Sequence, residues 1–193
     1  MTGVAILAGG EATRFPGKLL LDAGGVPLLL RTYRGVGPGR ETVVSCAGTF
    51  PAALDAELPA ALIVDRVPRR GPLGGVVSAL GRMRSRWVFV LAGDTPFAGE
   101  ALLERLEAAR QPGDEAVVPV RAQPDGTHPE PLAALYDRVA LLRAGSAALR
   151  AGRGSLRAAL EGLRVRFLRV DEARTFLNVN TPADAGALSK ELL

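Results

Sequence analysis

Lysine is almost missing from this chain: of 24 lysine and arginine residues, only Lys18 and Lys190 are lysine. Cysteine occurs once, as Cys46, and histidine once, as His128. A single thiol excludes an internal disulfide and a cysteine-built metal centre, and a single imidazole excludes a histidine pair. Aromatic residues make up only 5% of the chain. The arginines are scattered, and no recognised nucleic-acid-binding motif is present. No run of about eighteen apolar residues occurs, so no membrane-spanning helix is expected. The N-terminus lacks a charged n-region and cleavage site, so no secretory signal is expected either. These absences point to a cytoplasmic protein with neither nucleic acid nor membrane as partner.

What remains is an ordinary globular composition. The 193 residues are 48% hydrophobic and carry a formal net charge of +4. That length fits one domain, residues 1–193, with a substantial core. The positive charge favours an anionic small molecule as ligand.

The stretch Leu7-Ala8-Gly9-Gly10-Glu11-Ala12-Thr13-Arg14-Phe15-Pro16-Gly17-Lys18 organises the rest. It follows the apolar run Val4 to Leu7, which reads as a buried strand. Two glycines allow a sharp turn and a close backbone approach to a ligand. Successive N–H groups in such a turn form an anion-binding concavity. Arg14 and Lys18 add positive charge at its far end. Lys18 is notable in an arginine-rich chain, because a compact ammonium differs from a guanidinium fork. The same residues would also serve as a plain turn with two surface cations. The Rossmann fingerprint does not fit Gly9 to Thr13. A relaxed Walker A loop ending in Gly17-Lys18 fails at Leu19, where a magnesium-holding Ser or Thr is required.

Strand-like and helical patterns then alternate. Strands are expected over Thr42 to Cys46, Ala61 to Val64, Trp87 to Ala92, Ala116 to Val120, Leu132 to Tyr136 and Val165 to Val170. Helices are expected from Pro27, over Pro51 to Leu58, Val76 to Met83, Glu100 to Arg110, Asp137 to Arg150 and Ser155 to Leu163, and from Pro182 through Leu192. Residues 66–75 and 123–131 read as loops, and Thr175 to Asn180 as extended. This alternation predicts an α/β fold with a mostly parallel sheet. The continuous apolar run Trp87 to Ala92 predicts a central strand buried on both faces. Ligands of such sheets sit at the carboxyl ends of the strands, where the first loop, Asp65 and Asp94 are expected.

Asp94 follows a buried strand, in Gly93-Asp94-Thr95-Pro96, where the core has no use for a carboxylate. Facing a phosphate-binding loop, it is a candidate magnesium ligand, since magnesium takes one or two carboxylates plus phosphate oxygens. Alternatively it caps the helix that follows. Gly71-Pro72-Leu73-Gly74-Gly75 either passes a backbone close to a flat base or simply breaks the chain. Cys46 reads as a small core residue. His128 reads as a solvated loop residue or a substrate contact, and Arg69-Arg70 as a guide for anions or a solvated pair.

Taken together, Leu7-Ala8-Gly9-Gly10 with Arg14 and Lys18, Gly71 to Gly75, Asp94-Thr95-Pro96, Pro131-Leu132-Ala133-Ala134-Leu135-Tyr136 and Asn178-Val179-Asn180-Thr181-Pro182-Ala183-Asp184 resemble the nucleotidyltransferases of molybdenum cofactor maturation, the MobA family of guanylyltransferases. The resemblance covers nearly the whole chain in the same motif order. It implies a single-domain, Rossmann-like three-layer sandwich of the nucleotide-diphospho-sugar transferase type. The implied activity joins GMP from GTP to the phosphate of molybdopterin and releases pyrophosphate, with Mg2+ as cofactor. Leu7, Ala8, Gly9, Gly10, Asp65, Gly74 and Asp94 would then line the nucleotide, with Lys18 on its phosphates and Arg14 beside it. Asp94 would bind the metal. Arg153, Ser155, Asn178 and Asn180 would lie on the molybdopterin side. Implied partners are GTP, molybdopterin or the molybdenum cofactor, and proteins that deliver or accept that cofactor. Two departures stand out: Phe15-Pro16-Gly17 fills a shorter gap than usual before Lys18, and Ser45 stands where the family often has asparagine. The rival readings are a cytidylyl or sugar-phosphate nucleotidyltransferase of the same fold, a non-catalytic nucleotide-binding protein, and a P-loop ATPase.

Overall fold

A computed structural model of the chain describes residues 1–8, 18–36, 39–46, 50, 54, 57–58, 60–64, 71–123, 126–181, 183–184 and 186. Among these residues eight strands form one sheet. They are β1 (Gly3–Leu7), β2 (Thr42–Cys46), β3 (Ala61–Val64), β4 (Trp87–Ala92), β5 (Ala116–Gln123), β6 (Gly126–Pro129), β7 (Ala133–Asp137) and β8 (Val165–Arg169). The order is β3-β2-β1-β4-β7-β5-β6, with β8 also paired to β5. β1, β2, β3 and β4 run parallel, and β8 runs parallel to β5. β7 is antiparallel to both β4 and β5, and β6 is antiparallel to β5. The sheet is thus mostly parallel, with two reversed strands, β7 beside its centre and β6 beyond β5.

The helices are α1 (Leu28–Arg34), α2 (Gly71–Leu80), α3 (Glu100–Ala109), α4 (Arg138–Arg150) and α5 (Leu156–Leu160). Side chains alternate across the strands, so each strand supplies two cores. Ala5, Leu7, Val88 and Val90 meet Leu73, Val76 and Leu80 of α2 and Leu141 of α4. Val4, Ile6, Phe89 and Leu91 meet Leu29 and Leu30 of α1 and Leu103 and Leu106 of α3. The result is three layers, helix–sheet–helix, with β4 buried between β1 and β7 as its apolar run requires.

β2, β3 and β4 have the expected bounds. Three expectations are corrected. Thr175 and Phe176, expected as extended, lie in a 3-10 turn over Ala173–Phe176. The helix expected to start at Val76 starts at Gly71. Gly71 sits at φ +67°, and a Cβ there would lie 2.6 Å from the Gly154 carbonyl oxygen. That carbonyl accepts the Leu73 N–H at 3.1 Å, and Pro72 needs no N–H partner in a first turn. The glycine-rich stretch is therefore the packed start of a helix and not a loop. Residues 126–129, expected as loop, form β6 through backbone pairing to Val120–Gln123. Within it His128 lies opposite Arg121, a strand position. The helix expected over Pro51 to Leu58 falls largely outside the described residues. So does the closing helix, of which Ala183, Asp184 and Gly186 are helical. Among the described residues no helix is long and apolar enough to cross a membrane.

Candidate active site

The carboxyl ends of β1 and β4 are tied together. The Gly93 N–H donates to the Leu7 carbonyl at 2.9 Å, and the Ala8 N–H to the Ser45 carbonyl at 2.7 Å. The chain leaving β4 is then held on both sides of Asp94. The Thr32 hydroxyl of α1 donates to the Gly93 carbonyl at 3.1 Å, and the Thr95 hydroxyl to the Ala92 carbonyl at 2.7 Å. The Val179 N–H donates to the carbonyl of Asp94 itself at 2.9 Å. A backbone fixed this firmly leaves the Asp94 carboxylate no role in shaping the turn. Nor does it cap a helix, because the N-cap of α3 is Gly99.

That carboxylate is 24% exposed and meets Lys18, whose Nζ lies 2.5 Å from Oδ2. The same ammonium donates to Asn180 Oδ1 at 2.7 Å. Lys18 opens a short 3-10 turn, Lys18–Leu20. Asn180 arrives on an extended segment following a second such turn, Ala173–Phe176. In that segment Val179 is buried against Ala23 and Leu28, while Asn178 and Asn180 are exposed. Three residues separated by 76 and 162 positions thus converge on one ammonium group. Asp94, Lys18 and Asn180 are the sequence-expected residues that the fold brings together. Leu7 and Ala8 border the cluster through the end of β1.

Other expected residues have packing or hydrogen bonds of their own. Gly74 is buried in the first turn of α2. The Ser155 hydroxyl caps α5 by accepting the Ala158 N–H at 3.2 Å. Arg153 pairs with Glu161, its Nη1 2.7 Å from Oε2. This loop touches the start of α2 through Gly154, as above. Gly9, Gly10, Arg14 and Asp65, and the pair Arg69-Arg70, lie outside the described residues. Cys46 is a buried thiol that donates to the Ile63 carbonyl at 3.4 Å. Tyr136, in the Pro131 to Tyr136 motif, is fully buried and donates its hydroxyl to the Pro131 carbonyl at 2.8 Å. Burial pushes its phenol well above the ordinary range, so it serves as a brace and not as an acid.

One residue of the site was quoted within a sequence motif without being given work of its own. Asp184 Oδ2 accepts the N–H groups of Asn180 and Thr181, both at 2.9 Å, and the Asp184 N–H donates to Thr181 Oγ1 at 3.1 Å. The Asn180 N–H, then Thr181, then the Lys18 charge hold the Asp184 carboxyl below its usual range. The readable signal is Thr181-x-x-Asp184, a reciprocal capping pattern of the kind that opens helices.

Among the described residues no group of three or more His, Cys, Asp or Glu side chains is placed to hold a metal. A cation at Asp94 would find no cluster of three such ligands among the described residues and would draw on phosphate and water. That donor set suits magnesium on a nucleotide.

Comparison with known proteins agrees with this fold. A family described as the MobA-like NTP transferase domain matches residues 4–170. The chain belongs to that family. The probable molybdenum cofactor guanylyltransferase of Natronomonas pharaonis is 33% identical over 196 residues, covering 95% of this chain and 94% of that protein. The molybdenum cofactor guanylyltransferase of Vibrio cholerae is 29% identical, covering 97% and 92%. Among solved structures, molybdopterin-guanine dinucleotide biosynthesis protein A of Archaeoglobus fulgidus matches with a TM-score of 0.80 at 26% identity, covering 99% of this chain and 98% of that one. The 2-C-methyl-D-erythritol 4-phosphate cytidylyltransferase of Thermus thermophilus matches with a TM-score of 0.73 at 18% identity, covering 100% and 99%. This last likeness is one of fold alone. As a MobA-like domain the chain is a nucleotidyltransferase, and its three layers are those of the nucleotide-diphospho-sugar transferase type.

Proposed function

We propose that this chain transfers GMP from GTP to the phosphate of molybdopterin, forming molybdopterin guanine dinucleotide and pyrophosphate. The observation that carries the reading is the convergence of Lys18, Asp94 and Asn180 at the carboxyl ends of β1 and β4. The names of the full-length relatives supply the substrate class.

In the reaction an oxygen of the acceptor phosphate attacks the α-phosphorus of GTP. The bond between the α-phosphorus and its bridging oxygen to the β-phosphate breaks, and pyrophosphate leaves with that electron pair. A phosphate monoester has a second pKa near ~6 and is already largely dianionic at neutral pH, so no general base is needed. The barrier lies in bringing two anions together and in the charge that builds around phosphorus. Catalysis is then positioning and electrostatic stabilisation. Lys18, with Arg14 at the far end of the glycine loop, neutralises the phosphates that leave. Asn180, sharing the Lys18 ammonium with Asp94, sits where nucleotide and acceptor meet, with Asn178 exposed beside it on the acceptor side. Asp94 would hold magnesium, which supplies charge neutralisation across the phosphate oxygens. Leu7, Ala8, Gly9 and Gly10 would cradle the nucleotide, with Asp65 on its nucleoside side. The reading places the protein in the cytoplasm, with proteins that deliver or take the cofactor as further partners.

The test is product formation by purified protein with magnesium and molybdopterin or its molybdenum form, with GTP and CTP run in parallel. Pyrophosphate release with GTP alone is the expected result. Release with CTP alone would move the chain to cytidylyl transfer. Release with neither, while GTP still binds, would leave the nucleotide site and change the acceptor.

A further inference from the structure

Beyond the residues that would meet substrate, we infer that Asp184 is a positioning residue, holding Asn180 so that Asn180 in turn aims the Lys18 ammonium between itself and Asp94. The inference rests on the proposed transferase reading for its kinetic consequence, but its geometry stands apart from that reading.

Two points fix the segment that carries Asn180. At Val179 the N–H is bonded to the Asp94 carbonyl at 2.9 Å and the side chain is buried at 3% exposure. One residue later a single oxygen of Asp184 takes two successive N–H groups, those of Asn180 and Thr181, at 2.9 Å each. A helix cap needs only the second of these bonds, together with the return bond from the Asp184 N–H to Thr181 Oγ1 at 3.1 Å. The bond to the Asn180 N–H does nothing for the helix. It turns the backbone of Asn180, and the side chain of that residue ends 2.7 Å from Lys18 Nζ. The charge is also well placed, since the Lys18 ammonium is near enough to help hold the Asp184 carboxyl ionised. Lys18 therefore lies between one carboxylate in contact and a second behind Asn180.

The two roles of Asp184 separate by substitution. Thr181→Ala removes half of the cap and leaves the Asn180 N–H bonded to Asp184. Asp184→Ala removes both. The chain has only two lysines, so 15N-lysine labelling gives two ammonium signals, of which Lys190→Arg assigns the Lys18 one. In the unliganded protein, Asp184→Ala is expected to shift the Lys18 ammonium signal and to speed exchange of the Asn180 amide proton. Thr181→Ala is expected to leave both as in wild type. In the pyrophosphate assay Asp184→Ala should lower kcat on the order of tenfold or more, the scale of loss for misplaced groups. Asp184→Glu, which keeps a carboxylate acceptor, should restore most of it. Thr181→Ala should keep wild-type kcat while lowering the unfolding temperature as Asp184→Ala does. If Asp184→Ala does not fold, Asp184→Leu, a good helix former without an acceptor, takes its place with the same expectations. An unchanged Lys18 signal in the Asp184 variant overturns the inference, and so does equal loss of kcat in the Thr181 and Asp184 variants. A wild-type protein that releases no pyrophosphate refutes the transferase reading alone, because the ammonium and amide signals still decide the positioning.

Discussion

Lys18 and Asp94 are each ordinary alone, a cation and an anion about a quarter exposed, 2.5 Å apart. Pairs that solvent still reaches contribute about 0–1 kcal/mol to stability, so the pair is poorly explained by the fold. Asp94→Ala should therefore leave the unfolding temperature nearly unchanged while lowering pyrophosphate release on the order of a hundredfold or more, the scale seen when a charge-stabilising group is removed. Near wild-type turnover in magnesium would refute the mechanism. Lys18→Arg keeps the charge and should still fail, with kcat down roughly tenfold, because a planar fork does not fill the place of a compact ammonium between a carboxylate and an amide oxygen. Steady-state kinetics on that one variant separates charge from shape. The lysine was visible in the sequence because the chain uses arginine everywhere else but at Lys190. Its partnership with Asn180 was not, since a contact across 162 residues leaves no local trace.

At the scale of elements, legibility followed the strength of local signals. β2, β3 and β4 are short apolar runs bounded by turn residues, and their bounds could be read directly. β6 could not, because Gly126–Pro129 has no apolar face and exists only through its pairing with β5. Nor could the reversal of β7, whose buried run Ala133 to Tyr136 reads the same in either direction. The start of α2 was hidden by its glycines and proline, which are poor helix formers. Tertiary contact with Gly154 overrides that preference, and this makes Gly71 a sharp test. Gly71→Ala combines a left-handed backbone with a Cβ 2.6 Å from a carbonyl. It should cost about 2 kcal/mol or more, a drop of roughly 4–8 °C in Tm for a domain of this size. A calorimetric change under 1 °C would show that α2 and the Gly152 to Ser155 loop do not press together. The edge pairing of β5 with β8 has its own signature. Asp114 is held below its usual range by Arg166, against its slight burial, and Glu115 by the Arg164 N–H, then by Arg143. Carboxylates lowered on folding stabilise above their ordinary values, near 3.8 and 4.5, and lose that contribution as pH falls through the lowered values. Tm should fall between about pH 5 and pH 2. Asp114→Asn with Glu115→Gln should be less stable at neutral pH and show a flatter acid limb. An unchanged acid limb would assign the effect to other carboxylates.

Over the whole molecule, the site belongs to no single element. The end of β1 and the residue after it supply Leu7 and Ala8, the turn after β4 supplies Asp94, and the segment beyond β8 supplies Asn180. The sheet joins these parts through the N–H of Gly93 on Leu7 and of Val179 on Asp94. A ligand bound there holds the early strands to the late segment, so it must stabilise the folded state as a whole by linkage. At a concentration about 100 times its Kd, one bound nucleotide contributes ~2.7 kcal/mol, or roughly 5–10 °C in Tm for a chain of this length. GTP with magnesium should produce that rise, CTP a smaller one at equal concentration, and magnesium alone almost none, because Asp94 is a single carboxylate. In Asp94→Ala the GTP shift should become insensitive to magnesium while part of it survives on the glycine loop and Lys18. Thermal unfolding across these ligand and metal combinations measures nucleotide choice without any acceptor present. Equal shifts with GTP and CTP would place base selection in the turnover step and not in binding, and a magnesium-sensitive shift in Asp94→Ala would move the metal to another ligand.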